Sequence, residues 1–229
     1  MIVAQRDAFP VVTSDIGSFP LMSTESWQTA TASQRLRYRI ARHPITILCA
    51  YVTIFLLISC VDPLLKNPRK YWDGALSLIA HGGTIALLWA CAGFDVVLSA
   101  MFLPFVIASA LGAYLFYAQH TFEGLRIFPA ADWSYFRGAL ESSSYMKLGP
   151  IMKWFTGNIG YHHVHHLNPH IVFYRLPEAM AAMPELQHPA VTSLAPRDML
   201  ACFRANLWDK STQRMVSYGE ATSNTRGPG

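Results

Sequence analysis

The stretch GNIGYHHVHHLNP, residues 157–169, places His162, His163, His165 and His166 within five positions of a chain that holds nine histidines. If the segment is helical, His162, His165 and His166 stand at i, i+3 and i+4 and share one face. His163 then points about 100° away from His162. Imidazole is a common ligand for divalent iron, zinc, copper or nickel. At neutral pH its free ring is mostly uncharged and able to bind. His120 lies ahead of the cluster, at the end of a long apolar run. A ligand at the end of one helix and a ligand helix folded back under it can share one ion. Metal binding is therefore the chemistry expected here. His43, His81, His170 and His188 stand alone in the sequence and are expected to cap, pack or face solvent.

The elements that must position these residues are unusually apolar. Of the 229 residues, 52% are hydrophobic and only 14% charged, against about 25% charged in a soluble domain. Mean hydropathy is +0.23. The net charge of +4 comes without a dense basic patch, which argues against a nucleic-acid binder. Cys49, Cys60, Cys91 and Cys202 form no CxxC pair, so they indicate small buried side chains rather than a zinc or redox site. The first residues lack a basic stretch followed by an apolar one, so membrane insertion is expected to come from internal segments.

Three apolar runs, 44–61, 74–92 and 96–118, contain no Asp, Glu, Lys or Arg. Each is close to the roughly 17–25 residues that cross a bilayer. Any one alone would also suit a buried core helix; three together favour a membrane. Basic residues lie in 35–42 and again at Lys66, Arg69 and Lys70, which places both flanks in the cytoplasm. The simplest topology makes 44–61 re-entrant or interfacial and makes the other two runs a spanning hairpin that returns to the cytoplasm at His120. SQRLRYRIAR, 33–42, reads either as a segment beside anionic head groups or as a solvated basic loop. Beyond His120, short helices are expected at about 132–145 and 149–167, with Pro150 in the first turn of the second and Pro169 ending it. RLPEAMAAMPEL and the segment 195–219 read as amphipathic helices, Leu200, Phe203 and Leu207 sharing a face of the latter. The expected fold is an all-α membrane protein: transmembrane helices plus a cytoplasmic helical cap, 119–208, carrying a histidine-rich metal site. Residues 1–32 are expected to be irregular and the tail 209–229 largely disordered.

HxxHH, formed by His162, His165 and His166, resembles the third histidine box of the membrane fatty acid desaturases. FYAQHTFEG, SSSYMKL, WFTGNIGYHHVHHLNP and the following YRL resemble the acyl-lipid desaturases of the omega-6, delta-12-like type. RLRYRIARHP and FRANLWD are similar to those proteins as well, so the resemblance covers residues 33–208, the C-terminal portion of such an enzyme. It implies oxygen-dependent desaturation at two irons held by eight or nine histidines, with a membrane lipid or acyl substrate. It implies an electron donor such as ferredoxin or cytochrome b5, an integral membrane location and a metal site facing the cytoplasm. Carried over residue by residue, His120, His162, His165 and His166 would be iron ligands. His163 would stand behind them. Asn158 and Glu123 would either orient ligand rings or serve as a helix cap and a solvated carboxylate.

Two earlier boxes of that family, HxxxH and a first HxxHH, do not occur in this sequence; ahead of His120 it holds only His43 and His81. Three expectations follow. The chain is the C-terminal part of a desaturase, or it is a truncated and inactive membrane remnant, or it belongs to a related di-iron fatty acid hydroxylase.

Overall fold

The computed structural model describes residues 19–128, 132 and 134–223. Among these, residues 43–114 form one compact unit, and residues 19–42 with 115–223 form another.

In the unit 43–114, the His43 ring caps the helix Pro44–Leu48 by accepting from the Ile45 N–H at 3.2 Å. Tyr51–Val61 then winds in wide π-type turns and passes into the helix Asp62–Lys66. A second wide stretch, Leu98–Phe102, lies just ahead of Pro104. Pro63 and Pro104 explain both. A proline has no N–H to bond back, and its ring crowds the carbonyl four residues earlier, so the preceding turn opens. The expected run 44–61 is thus divided between two helical pieces.

The other two runs fall within Trp72–Ala92 and Phe94–Gln119, 21 and 26 residues that are long and apolar enough to cross a membrane. At 1.5 Å per residue they span about 31 and 39 Å, against about 30 Å of bilayer hydrocarbon. Ile79, Leu87, Trp89 and Ile107 are among their exposed side chains. Gly93, at φ +87°, turns the chain between them in a conformation that favours glycine. His81 packs, as a lone histidine was expected to: its Nε2 meets the Tyr51 hydroxyl at 2.5 Å, beside the rings of Phe55 and Phe105.

The other unit is helical with two small sheets. β1 (Tyr145–Lys147) pairs in parallel with β2 (Val191–Ser193), and β3 (Leu207–Asp209) pairs antiparallel with β4 (Arg214–Val216). The all-α expectation is corrected to a mostly helical fold. The amphipathic helix expected over 195–219 stops at Arg204, where the Asn206 side chain takes the Phe203 carbonyl. Asp209 then accepts from Ser211 and Thr212 and closes a tight turn. Leu207 is therefore a buried strand residue, not part of a helix face with Leu200 and Phe203.

The chain's two ends carry more order than expected. Ser23 caps the helix Thr24–Thr29, and a Thr31–Gln34 capping box starts the helix Ala32–Ala41. Tyr218–Ser223 is helical. Met22, Trp27, Tyr38, Leu207, Val216 and Ala221 share one apolar core. The Tyr38 hydroxyl donates to the Asn206 carbonyl and accepts from the Met22 N–H, tying the two ends together. The 1–32 and 209–229 expectations are thus corrected from Thr24 on and back to Ser223. The residues of those segments before Phe19 and after Ser223 lie outside the described ones.

Candidate metal centre

The site begins where the long apolar helix ends. His120 follows Gln119, its N–H bonded to the Tyr117 carbonyl at 3.2 Å, and the Phe116 ring stands edge-on to its own, 5.1 Å between centroids. Gln119 is buried and reaches both ways. Its carbonyl accepts from the Ser144 N–H at 3.0 Å, at the start of β1. Its Nε2 donates to the Ile159 carbonyl at 2.8 Å. One residue thus clamps the helix end against the segment that leads into the histidine cluster. Its position beside His120 in AQHTFE was the only sequence signal for this role.

The GNIG stretch sets the direction of that segment. The helix expected over 149–167 is broken in two. Pro150–Phe155 starts at Pro150, as expected, and ends in a Schellman motif. The Asn158 N–H bonds the Lys153 carbonyl at 2.8 Å and the Gly157 N–H bonds that of Trp154 at 3.3 Å. Gly157 and Asn158 are both left-handed, at φ +57° and +56°. The chain then re-enters helical structure at Ile159–Tyr161 and His162–Leu167. It ends at Leu167 because Asn168, preceding Pro169, is driven to an extended conformation. Gly160 packs against β1 so closely that a Cβ there would sit 2.4 Å from the Met146 carbonyl oxygen. On the far side, the Tyr135 hydroxyl donates to the His166 carbonyl at 2.8 Å.

These constraints bring His120, His162 and His166 together. Their Nε2 atoms lie 2.8 Å apart for 120–162, 3.0 Å for 162–166 and 3.3 Å for 120–166. A single ring nitrogen carries either a proton or a lone pair, so at most two of the three contacts can be hydrogen bonds and the third sets like against like. A shared cation satisfies all three. Two nitrogens each about 2.1 Å from an ion and roughly at right angles around it would stand about 3.0 Å apart. The Nδ1 atoms of His120 and His162 are buried without a hydrogen-bond partner. These three are a group that could hold a metal ion.

Protonation favours the same use. Burial, followed by the neighbouring imidazoles, holds His162 down to about 2 and His166 to about 3. Burial holds His120 down to about 4, partly offset by the Ser142 backbone, which approaches without a full hydrogen bond. All three rings are neutral at physiological pH and offer lone pairs.

The other expected residues sit elsewhere. His165 stands beside the trio, its ring 5.9 Å from that of His162 and nearly parallel to it. His163 is fully buried on the other side of the helix, with the Tyr145 ring 6.1 Å away, and burial holds it down to about 4. The Asn158 amide donates to the Phe173 carbonyl at 3.2 Å, so it braces a loop. Glu123 is exposed in the turn after His120.

The chain is 32% identical over 206 residues to a protein of Bacillus subtilis (strain 168) described as a fatty acid desaturase, covering 88% of this chain and 57% of that relative. The chain thus spans little more than half the length of the relative it matches. The family model described as fatty acid desaturase matches residues 15–196, a span that includes His120 and the whole histidine cluster. The chain belongs to the fatty acid desaturase family.

Proposed function

We propose that the chain supplies part of the iron site of an oxygen-dependent acyl-lipid desaturase, with His120, His162 and His166 on one ion. The observation that carries this reading is the convergence of three neutral imidazole nitrogens whose own protons leave at least one of the three contacts unsatisfied. Three such ligands would hold an ion without filling its coordination shell. His165, displaced to the side of the trio, is assigned to a second ion. Iron held in this way supplies dioxygen activation and removal of two hydrogens from adjacent methylenes, using electrons from an external donor such as ferredoxin or cytochrome b5.

The chain's own residues place and protect the ligands. Gln119 fixes the separation of His120 from the His162 helix. Tyr135 holds the far end of that helix. Phe116 covers an edge of His120 and keeps water from it. Trp72–Ala92 and Phe94–Gln119 are read as a spanning hairpin. Lys66, Arg69 and Lys70 before its first helix support a cytoplasmic side for that end, and with it for His120. An acyl chain in the bilayer would meet the site at the membrane surface.

The test is product analysis in a host membrane that supplies reductant. Fatty acid methyl esters should gain a double bond when a desaturase containing this chain is expressed, and lose it in the His165→Ala variant. Undiminished double-bond formation in that variant would reject the His165 assignment. A hydroxy acid in place of the alkene would move the protein to hydroxylation. An unchanged lipid profile would leave an inert membrane protein.

A further inference from the structure

Outside the histidine trio lies an exposed, largely aromatic surface. Ile151, Trp154 and Phe155 on the helix Pro150–Phe155 are 73, 78 and 71% exposed, and Phe173 and Tyr174 are 59 and 61% exposed. The two segments form one patch. The Phe173 ring packs over Gly157, where an added Cβ would meet it at 3.5 Å, and the Phe173 carbonyl takes the Asn158 amide. Large aromatic side chains left this open are uncommon on a free surface.

Three observations identify what covers them. The composition is one: Trp and Tyr beside Phe and Ile is the mixture that settles at a membrane–water boundary, where rings with an apolar body and a polar tip are best accommodated. Charge is another. Residues 142–178 contain Lys147, Lys153 and Arg175 against one acidic residue, Glu178, which lies 4.0 Å from Arg175; the positive charge left over complements anionic head groups. The third is position. The Gln119 side chain, on the last residue of the apolar helix Phe94–Gln119, bonds the carbonyl of Ile159, four residues beyond Phe155. The segment that carries the patch is thus tied to the end of a helix long and apolar enough to span.

We propose that Ile151, Trp154, Phe155, Phe173 and Tyr174 form an interfacial lip that enters the head-group layer of the bilayer and holds the metal centre against the membrane. This rests on the membrane reading of Trp72–Ala92 and Phe94–Gln119. The occupant is lipid, not a protein partner.

The whole chain, reconstituted into phosphatidylcholine/phosphatidylglycerol vesicles with and without lipid brominated high on the acyl chain, tests it through tryptophan quenching. Trp154→Phe reports on the lip and Trp89→Phe on the span; both side chains are exposed, so neither change disturbs a core. The expected result is that each substitution removes a measurable share of the bromolipid quenching. If only Trp89→Phe does so, the lip is overturned while the membrane reading stands. Acrylamide quenching of Trp154 then tells water from a covering protein or second copy. If neither substitution changes the quenching, the membrane reading falls and the lip with it. If only Trp154→Phe does, the lip stands and the span at Trp89 does not.

Discussion

The Nε2 atoms of His120 and His162 stand 2.8 Å apart although 42 positions separate them in the chain. Nothing in either residue brings this about. It follows from Gln119 holding the Ile159 carbonyl, from the left-handed pair Gly157–Asn158 turning the chain, and from the bare Gly160 seated on β1. The spacing of two facing ring nitrogens is thus set by backbone contacts made one to five residues away.

The first prediction concerns the metal. His162→Ala should abolish stoichiometric iron retention by the purified chain, because His162 is the ring nearest to both of the other two. His170→Ala, an exposed residue outside the trio, should leave it unchanged. Gln119→Ala should weaken retention without removing a ligand, since only the brace is lost. Metal analysis after desalting reads all three. Equal retention in wild type and His162→Ala would end the ligand assignment.

A second prediction separates two kinds of glycine. Gly160→Ala forces a Cβ against the Met146 carbonyl, a rigid backbone atom. It should destabilise the unit by about 2 kcal/mol, as overpacking does. Gly82→Ala, in the helix Trp72–Ala92 with open space at the Cβ, should be neutral or stabilising by up to about 1 kcal/mol through helix propensity. Thermal melts of the two variants in the same detergent should move apart.

The sequence was legible where chemistry is local. Imidazoles at helical spacing, apolar runs of spanning length, and Pro150 and Pro169 at helix boundaries are short-range signals. What it did not show depends on contacts between distant segments. The expected face of His162, His165 and His166 became a trio of His162, His166 and His120, since the third direction was set by where Gln119 clamps the helix end. The expected unbroken helix over 149–167 split because Gly157 and Asn158 are left-handed. Leu207 left its expected helix because a tight polar turn around Asp209 made a hairpin that buries it under Trp27 and Tyr38. The ordered tail up to Ser223 rests on residues far away in sequence, among them Trp27, on which Tyr218 packs at 4.9 Å between rings.

A third prediction follows from a buried cation. Arg42 is 2% exposed and donates to the Pro20 carbonyl at 2.8 Å, the Ala205 carbonyl at 3.0 Å, the Tyr117 hydroxyl at 3.1 Å and Thr121 Oγ1 at 3.3 Å. Its guanidinium also lies over the Tyr38 and Tyr117 rings. No single ammonium reaches all four acceptors, so Arg42→Lys is not conservative here. It should lower stability by about 3 kcal/mol by leaving buried acceptors unpaired. Arg37→Lys, on the exposed side of the same helix, should have no measurable effect. Denaturant or thermal unfolding of the two variants decides it.

The last prediction is the pH dependence of the metal-free chain. His120, His162, His163 and His166 are buried as neutral rings, with folded values of about 4, 2, 4 and 3, below the ordinary 6.5. Unfolding returns each ring to water, where it takes up a proton once the pH falls below about 6.5. The unfolded chain then binds more protons than the folded one, so stability falls with falling pH. The contribution is fully present above pH 6.5 and is lost progressively as the pH drops towards the folded values. Melting temperatures at pH 7.5, 6.0 and 5.0, which bracket the ordinary imidazole value, should decline in that order. His163→Phe keeps a buried ring and removes one titrating group, so its melting temperature should decline less steeply than that of the parent chain. A flat profile in the parent, or equal slopes in the two, would mean that these rings are not held neutral by burial.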